Sequence, residues 1–150
     1  MKVYKKIAEL IEENKSFTIA TVVDTRGSVP GKIGFKMVVD REGKSFGTVG
    51  GGELEQRVVA ECIARLERGE SGLREYLLQE KAGSAKKGQA EVIPMMCNGK
   101  VWVYYEVVRN RPSVFVFGGG HVGQALSYFL SKLNYHLILS IIGKNLPAKK

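Results

Sequence analysis

The sequence predicts an α+β domain followed by the opening of an α/β unit of the nucleotide-binding kind. Three observations carry this. Residues 17–49 alternate β-rich runs with glycine-marked turns, and residues 54–66 repeat apolar side chains at helical spacing. Near the end of the chain, Val114-Phe115-Val116-Phe117 drops straight into Gly118-x-Gly120-x-x-Gly123 and an amphipathic segment. That last pattern is the strand, tight turn and helix start of a βαβ unit. Its glycines permit the turn and a close backbone approach to a pyrophosphate at the helix N-terminus.

Taken in order, residues 3–14 place Val3, Ile7, Leu10 and Ile11 on one helical face, with Lys5, Glu9, Glu12 and Glu13 outside. Residues 17–24 (FTIATVVD) form a β-rich run, and the turn-rich stretch 25–31 follows it. Residues 35–40 read as a second strand, 41–44 as a hairpin turn and 45–49 as a third strand. After Gly50-Gly51-Gly52 comes the strongest helix, residues 53–68, with Leu54, Val58, Cys62, Ile63 and Leu66 on one stripe and Gly69 as its C-cap. Residues 73–78 suit a strand, 81–89 a polar loop and 100–108 a long strand. Pro112 disfavours continuation of either neighbour, so residues 109–112 read as a linker between a domain at 1–108 and a segment at 113–150. A second buried strand is expected at residues 135–139.

The length suits one soluble domain, or one domain plus a fragment. No apolar run reaches the roughly 20 residues needed to span a bilayer, and the N-terminus lacks a signal-peptide core, so a cytoplasmic protein away from membranes is expected. Two cysteines, Cys62 and Cys97, exclude a disulfide framework and a four-cysteine zinc site. The formal charge of +8 is dispersed among acidic residues without aromatic interleaving, which argues against nucleic acid. A small phosphorylated ligand suits the same balance, as does a solvated surface with no partner.

Four places carry chemistry. Gly118, Gly120 and Gly123 form the fingerprint, and His121 within it either donates to a ligand phosphate or faces solvent. Gly50, Gly51 and Gly52 lead into a helix that begins with Glu53, where exposed backbone N–H groups and the macrodipole favour an anion. Glycines in such a turn also serve structure alone, and Glu53 and Glu55 suit the first helical turn electrostatically. Arg26 and Ser28, on a tight loop, offer a guanidinium and a hydroxyl that could hold an oxyanion, although the bare pattern is a turn. Cys97 sits in a loop, where a thiol can ligate a soft or high-valent metal or react; Cys62 falls on an apolar helical stripe and reads as core. There is no H-x-E zinc motif, no defensible carboxylate pair and no Ser-His-Asp pattern, so nothing reads as a hydrolase.

In this order the motifs resemble the XdhC/CoxI family, the xanthine dehydrogenase accessory factors. Its G-S-x-P loop is matched by Gly27-Ser28-Val29-Pro30, its G-x-K-M-x-V strand by residues 34–39, and its G-x-x-G-G-G-x-L-E turn by residues 47–55. The C-G-G-x-V-like turn is matched by Cys97-Asn98-Gly99-Lys100-Val101, with Asn98 in place of a glycine, and G-x-G-H-V-G by residues 118–123. Asn tolerates left-handed φ, so that exchange is mild. The resemblance implies an N-terminal domain of the family followed by the truncated start of a Rossmann-like domain. It implies a cofactor-binding chaperone rather than a catalyst, with molybdenum cofactor (molybdopterin) as bound cargo sheltered during exchange of an oxo for a sulfido ligand. It also implies delivery to a xanthine dehydrogenase-type molybdenum hydroxylase, a cysteine desulfurase as a further partner, and a homodimer. Arg26, Ser28, Gly50, Gly51, Gly52, Glu53, Cys97, Gly118, Gly120, His121 and Gly123 are then the cofactor-binding candidates, with Cys97 the candidate for molybdenum. Two glycine-rich helix starts, one per domain, suit a phosphate-bearing pterin. The alternatives are an NAD(P)-binding oxidoreductase, a nucleotide-binding regulatory module and an inactive gene fragment.

The tail departs from the pattern. Where the family reads D-D-R-x-E-F-A, this chain reads Ile141-Ile142-Gly143-Lys144-Asn145-Leu146-Pro147, so the acidic ribose ligand expected about 20 residues beyond the fingerprint is absent. Codons permitted for residues 141–147, read one nucleotide earlier, recover most of the family motif. A frame shift near Ser140 is the expectation this raises, and resequencing there tests it. A lone βαβ fragment leaves strand edges and a helix face uncovered, so residues 113–150 are expected to be weakly ordered or paired with a second copy.

Overall fold

The computed structural model describes residues 2–79, 91–96 and 98–140. The expected loop at 81–89, Cys97 and the tail from Ile141 lie outside the described residues. The chain divides into two compact units, residues 1–109 and 110–150.

Unit 1 runs α1 (Lys2–Glu12), β1 (Phe17–Gly27), β2 (Lys36–Asp40), β3 (Ser45–Gly47), α2 (Gly52–Arg68), β4 (Gly72–Gln79), β5 (Glu91–Pro94) and β6 (Gly99–Val108). Its six strands form one sheet in the order β3-β2-β1-β6-β4-β5. Every neighbouring pair is antiparallel except β4 with β5, which is parallel. Strand alternation sets the two faces. Along β6, Val101, Val103 and Tyr105 are buried, while Lys100, Tyr104 and Glu106 are exposed.

Helix α2 covers the first of these faces. Its stripe of Leu54, Val58, Cys62 and Leu66 is buried, and the first three join Ala20, Val22 and Met37 in the main core. Each Leu, Val or Met side chain removed from water here contributes about 1.5–3 kcal/mol. The Thr18 hydroxyl, fully buried, donates to the Cys62 carbonyl at 3.0 Å. Gly69 ends α2 in the left-handed region (φ 73°) with its N–H on the Arg65 carbonyl at 2.7 Å. Glu61, only 10% exposed, pairs with Arg65 at 2.7 Å and with Arg74, and Arg74 reaches Glu91 at 2.7 Å, so ion pairs tie α2 to β4 and β5.

Helix α1 covers part of the other face through a second cluster, Leu10, Phe17 and Val38, backed by Val3 and Ile7. Ile11, expected on the buried stripe, is 48% exposed. The helix meets the sheet along β2 and β3, at one edge, so a single line of side chains is covered and Ile11 falls beside it.

Unit 2 is β7 (Ser113–Phe117), α3 (His121–Lys132) and β8 (His136–Ser140), with β7 and β8 parallel. The strand expected at 135–139 is present but not buried. All five residues of β8 are half-exposed, and α3 has no buried residue, because two strands and one helix give little mutual cover. Among the described residues no helix is long and apolar enough to cross a membrane.

Candidate functional site

Three loops of unit 1 converge around the motif residues. The first, residues 28–35, leaves β1; the second, residues 48–51, enters α2; the third, described at Met95, Met96 and Asn98, precedes β6. The Ser28 N–H donates to the Asn98 carbonyl at 3.0 Å, tying the first loop to the third. A methyl group at Gly31 would lie 2.2 Å from the Val49 carbonyl oxygen, and one at Gly50 would lie 2.7 Å from the Gly31 nitrogen, so the first and second loops touch backbone to backbone. The Met95 methyl lies 3.5 Å from where a Cβ at Gly52 would stand, which brings the third loop to the second. The first loop is held on the sheet by Gly34 N–H to the Val22 carbonyl (2.8 Å) and Val22 N–H to the Phe35 carbonyl (2.9 Å).

The glycine turn itself contains a carboxylate of the chain. Glu55 Oε1 accepts from the Gly51 N–H at 2.9 Å, from the Val49 N–H at 3.2 Å and from the Thr48 hydroxyl. The Gly50 N–H donates to the Thr48 oxygen at 3.1 Å. Gly50, Gly51 and Gly52 have φ of 138°, 87° and 61°, conformations that side chains rarely adopt. A Cβ at Gly51, as at Gly34 on the first loop, would meet open space.

The other candidates sit as follows. Ser28 is exposed at the start of the first loop. Glu53 pairs with Arg57 one helical turn on, at 3.2 Å. Arg26 lies elsewhere. Its guanidinium stands 5.4 Å from the centre of the Trp102 ring, which Lys100 also approaches at 5.8 Å, on the face of the sheet away from α2. A bulge between Val22 and Asp24 causes this. Ala20 and Val22 point to the core, and strict alternation would send Arg26 after them, but the extra residue moves Asp24 and Arg26 into register with Trp102 and Lys100. Cys97 is outside the described residues; its neighbours Met96 and Asn98 are exposed.

Cys62 is a buried thiol pushed up to about 12 by burial, with the Glu61 charge adding to the rise, so it stays protonated and inert. The Tyr76 and Tyr105 hydroxyls share a buried hydrogen bond of 2.5 Å, and burial raises both phenols above their ordinary range. Among the described residues, no group of three or more His, Cys, Asp or Glu side chains is arranged to hold a metal ion.

In unit 2, β7 turns through Gly118 (φ 110°), whose N–H bonds the Ser140 carbonyl at 2.9 Å, and Gly120 is the N-cap of α3. A methyl at Gly123 would lie 2.1 Å from the Gly118 carbonyl oxygen, which is the close helix–strand approach that the third glycine permits. His121 opens the helix and is exposed. Gly120 carries no side-chain cap and the first turn of α3 has no acidic residue; Gln124 donates to the Gly119 carbonyl at 3.0 Å.

Thr48, Gly31 and Glu55 were not legible as site residues. A Glu in the first helical turn after glycines signals capping, but not that it reaches back to Thr48.

Residues 10–77 match the XdhC and CoxI family. The chain is 29% identical over 142 residues to the uncharacterized protein YqeB of Escherichia coli K12, an alignment covering 95% of this chain and 25% of YqeB. The chain thus spans about a quarter of the length of that relative. A solved structure described as a xanthine dehydrogenase from Bacillus halodurans shares 14% identity with a TM-score of 0.48, over 87% of this chain and 61% of the other.

Proposed function

We propose, from the match of residues 10–77 to the XdhC and CoxI family, that the chain is an accessory protein of that kind, which binds molybdenum cofactor for a xanthine dehydrogenase-type hydroxylase. The single observation that carries the reading is the meeting of the Ser28, Gly50–Gly52 and Asn98 loops, which the sequence separates by tens of residues. A binding site built on backbone needs such a meeting, and glycines at the contacts let the main chains approach.

The residues that would hold the cargo in unit 1 are Ser28, Gly50, Gly51, Gly52 and Glu53, with Cys97 as the candidate for molybdenum. A hydroxyl at Ser28 and a carboxylate at Glu53 suit the hydrogen-bonding ring system of the pterin, and Gly50–Gly52 let it approach the main chain. The turn does not suit a phosphate, because Glu55 and Thr48 already take the N–H groups of Val49, Gly50 and Gly51. Arg26, stacked on Trp102, contributes to the sheet face and not to this site. A soft thiolate at Cys97 is a suitable ligand for molybdenum while an oxo group is exchanged for sulfido. A xanthine dehydrogenase-type enzyme is the recipient on this reading, a cysteine desulfurase the sulfur source and a homodimer the working state.

Unit 2 favours a second reading on its own ground. Gly118, Gly120, His121 and Gly123 form a strand-to-helix turn with close Gly123–Gly118 approach and no acidic residue in the first helical turn, so NAD(P) binding there is the alternative. An anaerobic titration of the chain with molybdenum cofactor, with NAD as competitor, separates the two. Binding that persists under NAD and falls about tenfold or more in Cys97→Ala supports the carrier. Binding of NAD alone, or of neither ligand, overturns it.

A further inference from the structure

Glycine turns that feed a helix are ordinarily anion sites, since successive N–H groups point into one concavity and the helix dipole adds to their pull. Here three glycines in succession have positive φ and the helix that follows runs 17 residues. The concavity is nevertheless satisfied from within. Glu55 Oε1 takes the N–H groups of Val49 and Gly51 and the Thr48 hydroxyl, and Thr48 takes the N–H of Gly50. Three consecutive backbone donors are committed, directly or through one hydroxyl, to a single carboxylate. Glu53 adds a second negative charge in the same helical turn.

We propose that Glu55 is a specificity-determining residue that bars phosphate groups from the glycine turn of α2, by holding a carboxylate of the chain where a ligand anion would sit. An incoming phosphate has to displace a charged group that already makes charge-assisted hydrogen bonds, and then has to lie beside it. Ligands that enter the loop cluster of unit 1 are therefore selected for parts without phosphate. This goes beyond the carrier reading and holds whichever cargo the chain carries, so failure of the cofactor titration leaves it standing.

The test uses the full chain, labelled with nitrogen-15, and inorganic phosphate and pyrophosphate as probes at constant ionic strength. The readout is the amide signals of Val49, Gly50 and Gly51 alone, so binding elsewhere is not scored. In the parent chain these signals are expected to stay put. In Glu55→Ala they should move on titration, with apparent affinity at those amides about tenfold or more above the parent. Glu55→Gln keeps a carbonyl acceptor for the turn without the charge and is expected to fall between the two, which serves if the alanine variant folds poorly. Glu67→Gln, which removes an exposed charge from the far end of α2 and leaves the Glu55 contacts intact, should behave as the parent. Phosphate-dependent shifts at Val49–Gly51 in the parent, or none in either Glu55 variant, would overturn the proposal.

Discussion

At Gly50–Gly52 the chain bends into α2 around one of its own carboxylates, whereas at Gly118–Gly120 it bends into α3 with no side-chain cap and no acidic residue in the first turn. Both turns lead from a glycine of positive φ into a helix with close main-chain contact, although the first has three such glycines in succession and the second only Gly118. They differ in what the following helical turn supplies. Glu55 completes the first turn, while the second keeps its electropositive end uncompensated by any acidic neighbour in that helix. A glycine pattern therefore specifies a shape, and the side chain three or four residues on decides whether that shape receives an anion. The setting differs too. The first turn stands on a core with fully buried Leu54 and Val58, and the second on a helix with nothing buried.

The difference in setting gives the largest expected effect. Leu54→Ala should lower the unfolding free energy of unit 1 by about 2–5 kcal/mol, as large-to-small changes in packed cores do. Leu126→Ala, at a side chain 46% exposed on α3, should change stability by less than about 0.5 kcal/mol. Urea denaturation of both variants checks this, and equal losses would mean α3 is packed as tightly as α2.

Next comes the backbone approach in unit 2. A methyl at Gly123 meets the Gly118 carbonyl at 2.1 Å, whereas one at Gly120 meets nothing within 4 Å. Gly123→Ala should cost about 1–3 kcal/mol locally and Gly120→Ala much less. Amide exchange over residues 113–140 reads the difference, with residues 17–79 unaffected in both.

High pH should weaken unit 1 gradually. In the fold the Cys62 thiol is raised from 9.0 to about 12, and both buried phenols are raised as well. In the unfolded chain these groups ionise near their ordinary values, so this contribution is fully present below about pH 9. It is lost as pH rises toward the folded values, because the unfolded state then binds fewer protons. The slope is about 1.4 kcal/mol per pH unit for each group. Denaturant midpoints at pH 8, 9.5 and 10.5 should fall in that order, and a flat profile would contradict the burial of these three groups.

The smallest effect concerns Arg26. Stacked on Trp102, it is worth about 0.5–1 kcal/mol of stability, and Arg26→Ala should leave cofactor affinity unchanged. A loss of affinity in that variant would bring Arg26 back to the site.

Much of the fold was legible because local pattern and tertiary role agree. The alternation at 100–108, the stripe from Leu54 to Leu66 and the stop at Gly69 each state a structure that packing then uses. Strand β5 was not legible: four residues ending in Pro94 carry too little pattern, and they form a strand only by pairing in parallel with β4. The exposure of Ile11 and of β8 depends on how much neighbouring structure exists to cover them, which periodicity does not report. In the site, glycine spacing marked the right loops, but their meeting rests on contacts such as Gly31 with Val49 that no local pattern encodes. One bulged residue decided the side on which Arg26 lies, and bulges leave little trace in sequence.

The most direct measurement is anaerobic hydrogen–deuterium exchange of the whole chain with and without molybdenum cofactor, read peptide by peptide. The account predicts slowed exchange at residues 28–34, 48–52 and 95–99 together, with that protection weakened in Cys97→Ala. Protection confined to residues 118–123, or spread over no particular loop, would contradict it.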